Sequence, residues 1–206
     1  MIKVKVCGIT NQEDALKAVY YGAWALGFVF YNKSPRYISP SKARKIIEAL
    51  PPFVTPVGVF VNHKERAIRD ICQFTRINTI QLHGDEEPAF CKRFKDYKII
   101  KAFRVGEKVD FNSLSKYKVD AYLFDTYEEN AFGGTGKTFH WELLSGRKFD
   151  KPYILAGGLD SENVRGALET ITPFAVDVSS GVEKSPGLKD PRLIRAFFDA
   201  LNVPLI

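Results

Sequence analysis

Four side chains that can transfer protons stand at the ends of short apolar, β-rich runs: Cys7 after IKVKV, His83 after INTIQL, Asp125 in VDAYLFD and Asp177 in FAVDV. A thiol, an imidazole and two carboxylates are groups that proteins use as general acids and bases. If the runs are parallel strands, their carboxyl ends meet at one face, and the four side chains share a site there.

Each of these side chains also has a structural interpretation. A free cysteine such as Cys7 is usually a small buried apolar residue. Asp125 could cap the loop that follows it, and Asp177 could neutralise an inward lysine such as Lys5. His83, which precedes Gly84, likewise has both a structural and a functional interpretation. Residue type and spacing leave both interpretations standing.

Two late glycine-rich segments are suited to binding a phosphate. AGGL contains Gly157 and Gly158, and SSG contains Ser180 and Gly181. Such turns present backbone N–H groups to an anion. A third segment, AFGGTGKT, ends like a Walker A loop but lacks its first glycine and does not join an apolar strand to a long helix. We expect a lid there, with Lys137 able to meet an anion.

The elements that must position these residues alternate along the chain. The eight β-rich runs are IKVKVC, ALGFVF, TPVGVF, INTIQLH, YKIIKAF, VDAYLFD, PYILA and FAVDV. Helical apolar stripes separate most of them. Thr10 followed by Glu13 is a capping-box pattern, and Ser39 and Asp190 each precede a proline as N-caps do. The segments after FRVGEK and after Asp125 are the weakest helical units.

A closed barrel and a doubly wound open sheet both fit this alternation, and the strand faces favour the barrel. IKVKVC places three apolar side chains on one face and a polar set on the other, namely Lys3, Lys5 and Cys7. INTIQLH divides in the same way. An open sheet covered on both faces would not carry so polar a second face, whereas a barrel lumen holds paired polar groups. We predict one domain over residues 1–206, a (β/α)8 barrel.

Composition excludes several classes of protein. The chain has 206 residues, 45% hydrophobic, enough for a sizeable core. Its net charge of +6 is spread without a basic run, which argues against a nucleic-acid-binding stripe. The longest apolar run, 23–31, is too short to cross a bilayer. Three cysteines with no metal-ligand spacing suggest a reducing, cytoplasmic setting without a metal, and Cys72 and Cys91 are expected to pack in the core.

Taken in order, the segments CGIT, GFVFYNKSPRYISP, VGVFVN, QLHG, LFDT, GGTGKTFHW, AGGL and PFAVDVSSGVE closely resemble the phosphoribosylanthranilate isomerase family of tryptophan biosynthesis. The resemblance covers nearly the whole chain. It implies a (β/α)8 enzyme that carries out an Amadori rearrangement on a small phosphorylated substrate, without a metal or organic cofactor. No obligatory protein partner is implied, and the composition argues against nucleic acid and a membrane as partners.

The resemblance also implies roles for individual residues. Cys7 is the base and Asp125 the acid, so Cys7 needs a neighbour that favours the thiolate, such as a net-positive lumen, and Asp125 must hold a proton. Arg36 binds the anthranilate carboxylate, for which a guanidinium fork is suited. We group His83 and Asp177 with the substrate-binding residues because of their place at the barrel mouth.

Two alternative functions are also compatible with the sequence. Another barrel enzyme for a sugar phosphate, such as a ribulose-phosphate epimerase or an indole-glycerol-phosphate synthase, would share the phosphate loops but not the pair of Cys7 and Asp125. The synthase would also need catalytic lysines at strand ends. A non-catalytic binder of anions fits the pI of about 9.1 but lacks a basic run interleaved with aromatics.

Overall fold

Eight parallel strands close into a barrel in the computed structural model, which describes residues 2–106, 110–126 and 141–202. They are β1 Lys3–Cys7, β2 Ala25–Val29, β3 Thr55–Phe60, β4 Thr79–Leu82, β5 Lys98–Val105, β6 Ala121–Thr126, β7 Tyr153–Leu155 and β8 Ala175–Val178. Each strand pairs with its neighbours in chain order, and β8 pairs with β1 to close the circle. The predicted (β/α)8 fold is confirmed, and each predicted run forms one strand.

Helices cover the outside of the barrel. They are α1 Gln12–Tyr20, α2 Pro40–Glu48, α3 Glu65–Thr75, α4 Pro88–Cys91, α5 Val164–Thr170 and α6 Pro191–Ala200. Short 3-10 helices, Phe111–Lys116 and Trp141–Leu144, stand in the connections after β5 and β6, the two units expected to be weakest. The AFGGTGKT segment and the lid predicted there lie outside the described residues.

The predicted helix starts are correct at two positions and wrong at one. The side chains of Ser39 and Asp190 cap α2 and α6. The N-cap of α1 is Asn11, not Thr10: its Oδ1 accepts from the backbone N–H of Asp14 at 2.8 Å, and its Nδ2 donates to the Asp14 carboxylate. The helix therefore begins one residue later than the capping-box pattern predicts, and the Thr10 hydroxyl instead donates to the carbonyl of Gly187.

The two faces of the strands separate as predicted. Val4 and Val6 belong to the large core between strands and helices, whereas Lys5 and Cys7 face the lumen side. The lower lumen is filled by a smaller apolar cluster that includes Val57 and Leu123. Polar side chains therefore gather above this layer, toward the carboxyl ends of the strands.

A two-stranded antiparallel ribbon follows β8. Its strands are β9 Glu183–Ser185 and β10 Leu188–Lys189, and it leads into α6. The ribbon carries two buried charged side chains, Glu183 and Lys189, back toward the end of β1. No helix within the described part of the chain has the length and apolar character needed to cross a membrane.

Candidate active site

A concave cleft opens at the carboxyl ends of the strands, where the active sites of (β/α)8 barrels lie. It brings together eight of the nine predicted site residues: Cys7, Arg36, His83, Asp125, Gly157, Gly158, Asp177 and Ser180. The ninth, Gly181, follows Ser180 in a 3-10 turn but is not among the lining residues. Among the described residues, no group of three or more His, Cys, Asp and Glu side chains is arranged to hold a metal ion.

Asp125, near the end of β6, is buried and held through both carboxylate oxygens. Oδ1 accepts from the backbone N–H of Thr126 at 2.8 Å, and Oδ2 lies 3.0 Å from Nε2 of His83. Nδ1 of His83 lies 2.7 Å from Nε2 of Gln81, two residues earlier on the same strand face. This series of hydrogen bonds fixes the orientation of the Asp125 carboxylate. Strand parity places Gln81 on the polar face but does not predict its contact with His83.

Cys7 is the last residue of β1 and lines the cleft, as Asp125 of β6 does. Its strand neighbour is Gly27, where a Cβ would lie only 2.6 Å from the Cys7 Sγ. A side chain larger than hydrogen is therefore excluded beside the thiol. Burial raises the pKa of the Cys7 thiol and Asp177 adds to this, while the ammonium groups of Lys5 and Lys189 lower it. The other cysteines, Cys72 and Cys91, are buried in the core as expected.

Lys5 and Asp177 form a buried ion pair beneath the cleft. Nζ of Lys5 lies 2.7 Å from Oδ2 of Asp177, and both side chains are less than one-tenth exposed. Burial disfavours the charge on Lys5, but the adjacent carboxylate outweighs this and raises its pKa. Burial likewise raises the pKa of Asp177. The structural interpretation of Asp177 is thus correct, and its predicted contact with substrate stays a prediction.

Arg36 lines the cleft with its guanidinium held by Glu183. Nε and Nη2 of Arg36 lie 2.9 and 2.7 Å from the two carboxylate oxygens of Glu183. The same carboxylate accepts a hydrogen bond from Nζ of Lys189 at 2.8 Å. Burial alone would raise the pKa of Glu183, but the two cations outweigh it and lower that pKa. The Nε–Nη2 edge of the Arg36 guanidinium is therefore already bonded to Glu183.

The glycine-rich turn after β7 has a left-handed backbone conformation at both of its glycines. Gly157 and Gly158 have φ values of +90° and +63°. A Cβ on Gly157 would also overlap the Thr126 hydroxyl oxygen, so glycine is required there. Within the described ranges, no residue accepts a hydrogen bond from the backbone N–H of either glycine. Ser179 and Ser180 line the same part of the cleft from the loop after β8.

A closed parallel barrel with acid–base side chains and glycine-rich turns at the carboxyl ends of its strands is the architecture of (β/α)8-barrel enzymes. The comparisons with known proteins narrow this class. The family model described as N-(5'phosphoribosyl)anthranilate (PRA) isomerase matches residues 4–200. The chain therefore belongs to the N-(5'-phosphoribosyl)anthranilate isomerase family, as its sequence motifs indicated.

Individual relatives agree with the family model. The N-(5'-phosphoribosyl)anthranilate isomerase of Geobacter sulfurreducens is 49% identical over 197 residues, covering 96% of this chain and 97% of the relative. The crystal structure of phosphoribosyl anthranilate isomerase from Thermotoga maritima superposes with a TM-score of 0.91 at 46% identity, covering 98% and 99% of the two chains.

Another structure of the isomerase, in complex with reduced 1-(o-carboxyphenylamino)-1-deoxyribulose 5-phosphate, has a TM-score of 0.88 at 44% identity. It covers 98% of this chain and 99% of that one.

Proposed function

We propose that the protein isomerises N-(5'-phosphoribosyl)anthranilate to 1-(o-carboxyphenylamino)-1-deoxyribulose 5-phosphate, with Cys7 as the base and Asp125 as the acid. The observation that carries the proposal is the placement of a buried thiol and a buried carboxylate in one cleft of a chain that belongs to this family. The reaction moves protons within one sugar, so it needs an acid and a base that reach the same substrate.

The first step opens the sugar ring. Asp125 donates a proton to the furanose oxygen, the bond from C1 to that oxygen breaks, and the anthranilate nitrogen supplies the electron pair that forms the Schiff base. The hydrogen bonds from Thr126 and His83 keep the carboxyl group from rotating away. A positioned acid of this kind contributes about 10²- to 10⁴-fold to the rate.

The second step moves the proton from C2. The Cys7 thiolate removes it, the electron pair neutralises the iminium nitrogen, and the resulting enolamine tautomerises to the ketone. A thiol at its ordinary pKa of about 8.5 is only a few per cent ionised at neutral pH, and burial makes the fraction smaller. The positive charges of Lys5 and Lys189 therefore have a direct bearing on the rate.

The substrate carries two anionic groups, a phosphate and a carboxylate, and the cleft lining contains residues suited to each. Gly157, Gly158 and Ser180 offer the phosphate site, with Gly181 shaping the turn from behind. Arg36 binds the anthranilate carboxylate. Glu183 fixes the plane of the Arg36 guanidinium and already contacts its Nε and Nη2, so the substrate does not have the whole fork available.

The setting of the reaction is also part of the proposal. We place it in the cytoplasm, since all three cysteines are free thiols. The protein would work without nucleic acid, membrane or an obligatory protein partner.

The two buried lysines on the barrel strands, Lys5 of β1 and Lys101 of β5, argue against an indole-glycerol-phosphate synthase. Nζ of Lys101 contacts the Glu86 carboxylate and three backbone carbonyls, and Lys5 is paired with Asp177. Neither lysine lines the cleft.

The proposed reaction is tested by mixing the purified protein with freshly made phosphoribosylanthranilate and following its anthranilate-type fluorescence. We expect the fluorescence to fall at a rate proportional to protein concentration, with a product of unchanged mass, because isomerisation moves protons without loss of atoms. Decay no faster than in buffer, or release of free anthranilate by hydrolysis, would refute the proposal.

A further inference from the structure

A fully buried ammonium lies against the backbone of Cys7. Nζ of Lys189 donates to three acceptors: the carbonyl of Cys7 at 2.5 Å, the carbonyl of Ser179 at 3.2 Å and Oε1 of Glu183 at 2.8 Å. Its side chain is 0% exposed. An ammonium has three N–H donors, and here each has an acceptor. Burial lowers the pKa of Lys189 below its ordinary value, and the adjacent Glu183 carboxylate opposes this shift.

Lys189 belongs to a buried cluster of charged side chains. Its ammonium and the Arg36 guanidinium both contact the Glu183 carboxylate, and its backbone N–H donates to Oδ2 of Asp14 at 2.8 Å. Among the described residues, the charged groups that act on the Cys7 thiol include Lys5, Asp177 and Lys189, while Arg36, His83 and Asp125 line the same cleft. Of these cations, Lys189 donates directly to the backbone of Cys7.

We propose that Lys189 is a positioning residue for the Cys7 base: it fixes the Cys7 backbone and supplies a positive charge that stabilises the thiolate. The inference rests on the proposed role of Cys7. The Ser179 hydroxyl also donates to the Cys7 carbonyl, at 3.2 Å, so the same contacts join the base to the phosphate loop after β8. In agreement with this geometry, the charge of Lys189 lowers the pKa of the thiol.

The test measures the thiol directly. The rate of iodoacetamide alkylation at Cys7 is followed from pH 6 to 11 by peptide mass spectrometry in the parent, Lys189→Met and Lys189→Gln. We expect the midpoint for Cys7 to rise by about one pH unit in both variants, as loss of an opposite charge within a few ångströms implies. The rising limb of kcat/KM against pH should move by the same amount.

A matched control removes a lysine from the same ribbon without touching the cluster. Lys184 is exposed on β9, and Lys184→Met should leave the midpoint at the parental value. Thermal unfolding by circular dichroism shows which variants fold, and Lys189→Gln keeps a donor for the carbonyls if Lys189→Met does not fold. A midpoint in a folded neutral variant equal to that of Lys184→Met overturns the inference.

The two proposals fail separately. If Cys7→Ser keeps parental kcat, Cys7 is not the base, yet the alkylation midpoint still reports whether Lys189 acts on the thiol. If Cys7→Ser loses activity while the midpoint stays unmoved in the Lys189 variants, the role of Cys7 stands and that of Lys189 is wrong.

Discussion

Replacing Gly27 by alanine should move the Cys7 thiol without removing any reacting group. The new Cβ would lie 2.6 Å from Sγ, where ordinary contact begins at 3.4 Å, so Sγ must retreat by about 0.8 Å. The β1–β2 pairing opposes a larger separation of the strands, because Gly8 and Ile9 both donate to the Gly27 carbonyl at 3.0 Å. A misplacement on the order of 1 Å in a reacting group costs about 10²-fold in rate.

The assay is steady-state fluorescence with Gly27→Ala and a control that adds the same methyl group where there is space. Beyond its own helix backbone and chain neighbours, Gly166 in α5 has no atom within 4 Å of the position a Cβ would take. Gly166→Ala should therefore keep kcat and add about 0.5 to 1 kcal/mol to the free energy of unfolding. For Gly27→Ala we expect kcat to fall about 10²-fold while KM changes little. A folded Gly27→Ala protein with parental kcat would refute the placement of Cys7 at the reacting carbon.

Three further predictions concern binding and stability. A Cβ on Gly181 would overlap the Leu159 carbonyl, so Gly181→Val should weaken binding of substrate and of inorganic phosphate by at least about tenfold; unchanged phosphate inhibition would move the site elsewhere. Arg36→Met should cost about 1.5 to 3 kcal/mol in kcat/KM for substrate but little for phosphoribosylaniline, which lacks the ortho carboxylate; equal losses would contradict the assignment. Lys5→Met leaves Asp177 buried without its cation and should lower the free energy of urea unfolding at pH 7 by about 3 to 5 kcal/mol. Because burial raises the folded-state pKa of that carboxyl group, proton uptake favours the folded state, and the deficit should shrink as the pH falls toward 4; a deficit that does not vary with pH would count against the buried charge.

The barrel and its cleft follow from local patterns in the sequence. Strand parity separates Val4 and Val6 from Lys5 and Cys7, since side chains alternate along a strand whatever the rest of the fold does. The rule that carboxyl ends of parallel strands meet at one face then brings distant polar residues together. The predicted N-cap of α1 is wrong by one position because Asn11 caps as well as Thr10 does.

The charge network behind the site does not follow from such patterns. Glu183 and Lys189 reach Arg36 and Cys7 across 147 and 182 residues of chain. The spacing of Glu183 and Lys189 on the short ribbon follows neither helical nor strand periodicity, so it does not predict that their side chains are buried. Lys189, next to the helix cap Asp190, has the sequence context of an exposed turn. Only the folded path of the ribbon shows that its ammonium is enclosed.

The most direct test of the central claim is the C2 deuterium isotope effect on kcat in the parent, Cys7→Ser and Asp125→Asn. Both variants nearly keep the shape of the side chain, and each should lower kcat by at least about 10²-fold. Loss of the base slows proton removal from C2, so the isotope effect should be larger in Cys7→Ser than in the parent. Loss of the acid stalls ring opening, so the effect in Asp125→Asn should shrink toward unity. Parental kcat in Cys7→Ser, or the same isotope effect in both variants, would contradict the assignment of Cys7 as base and Asp125 as acid.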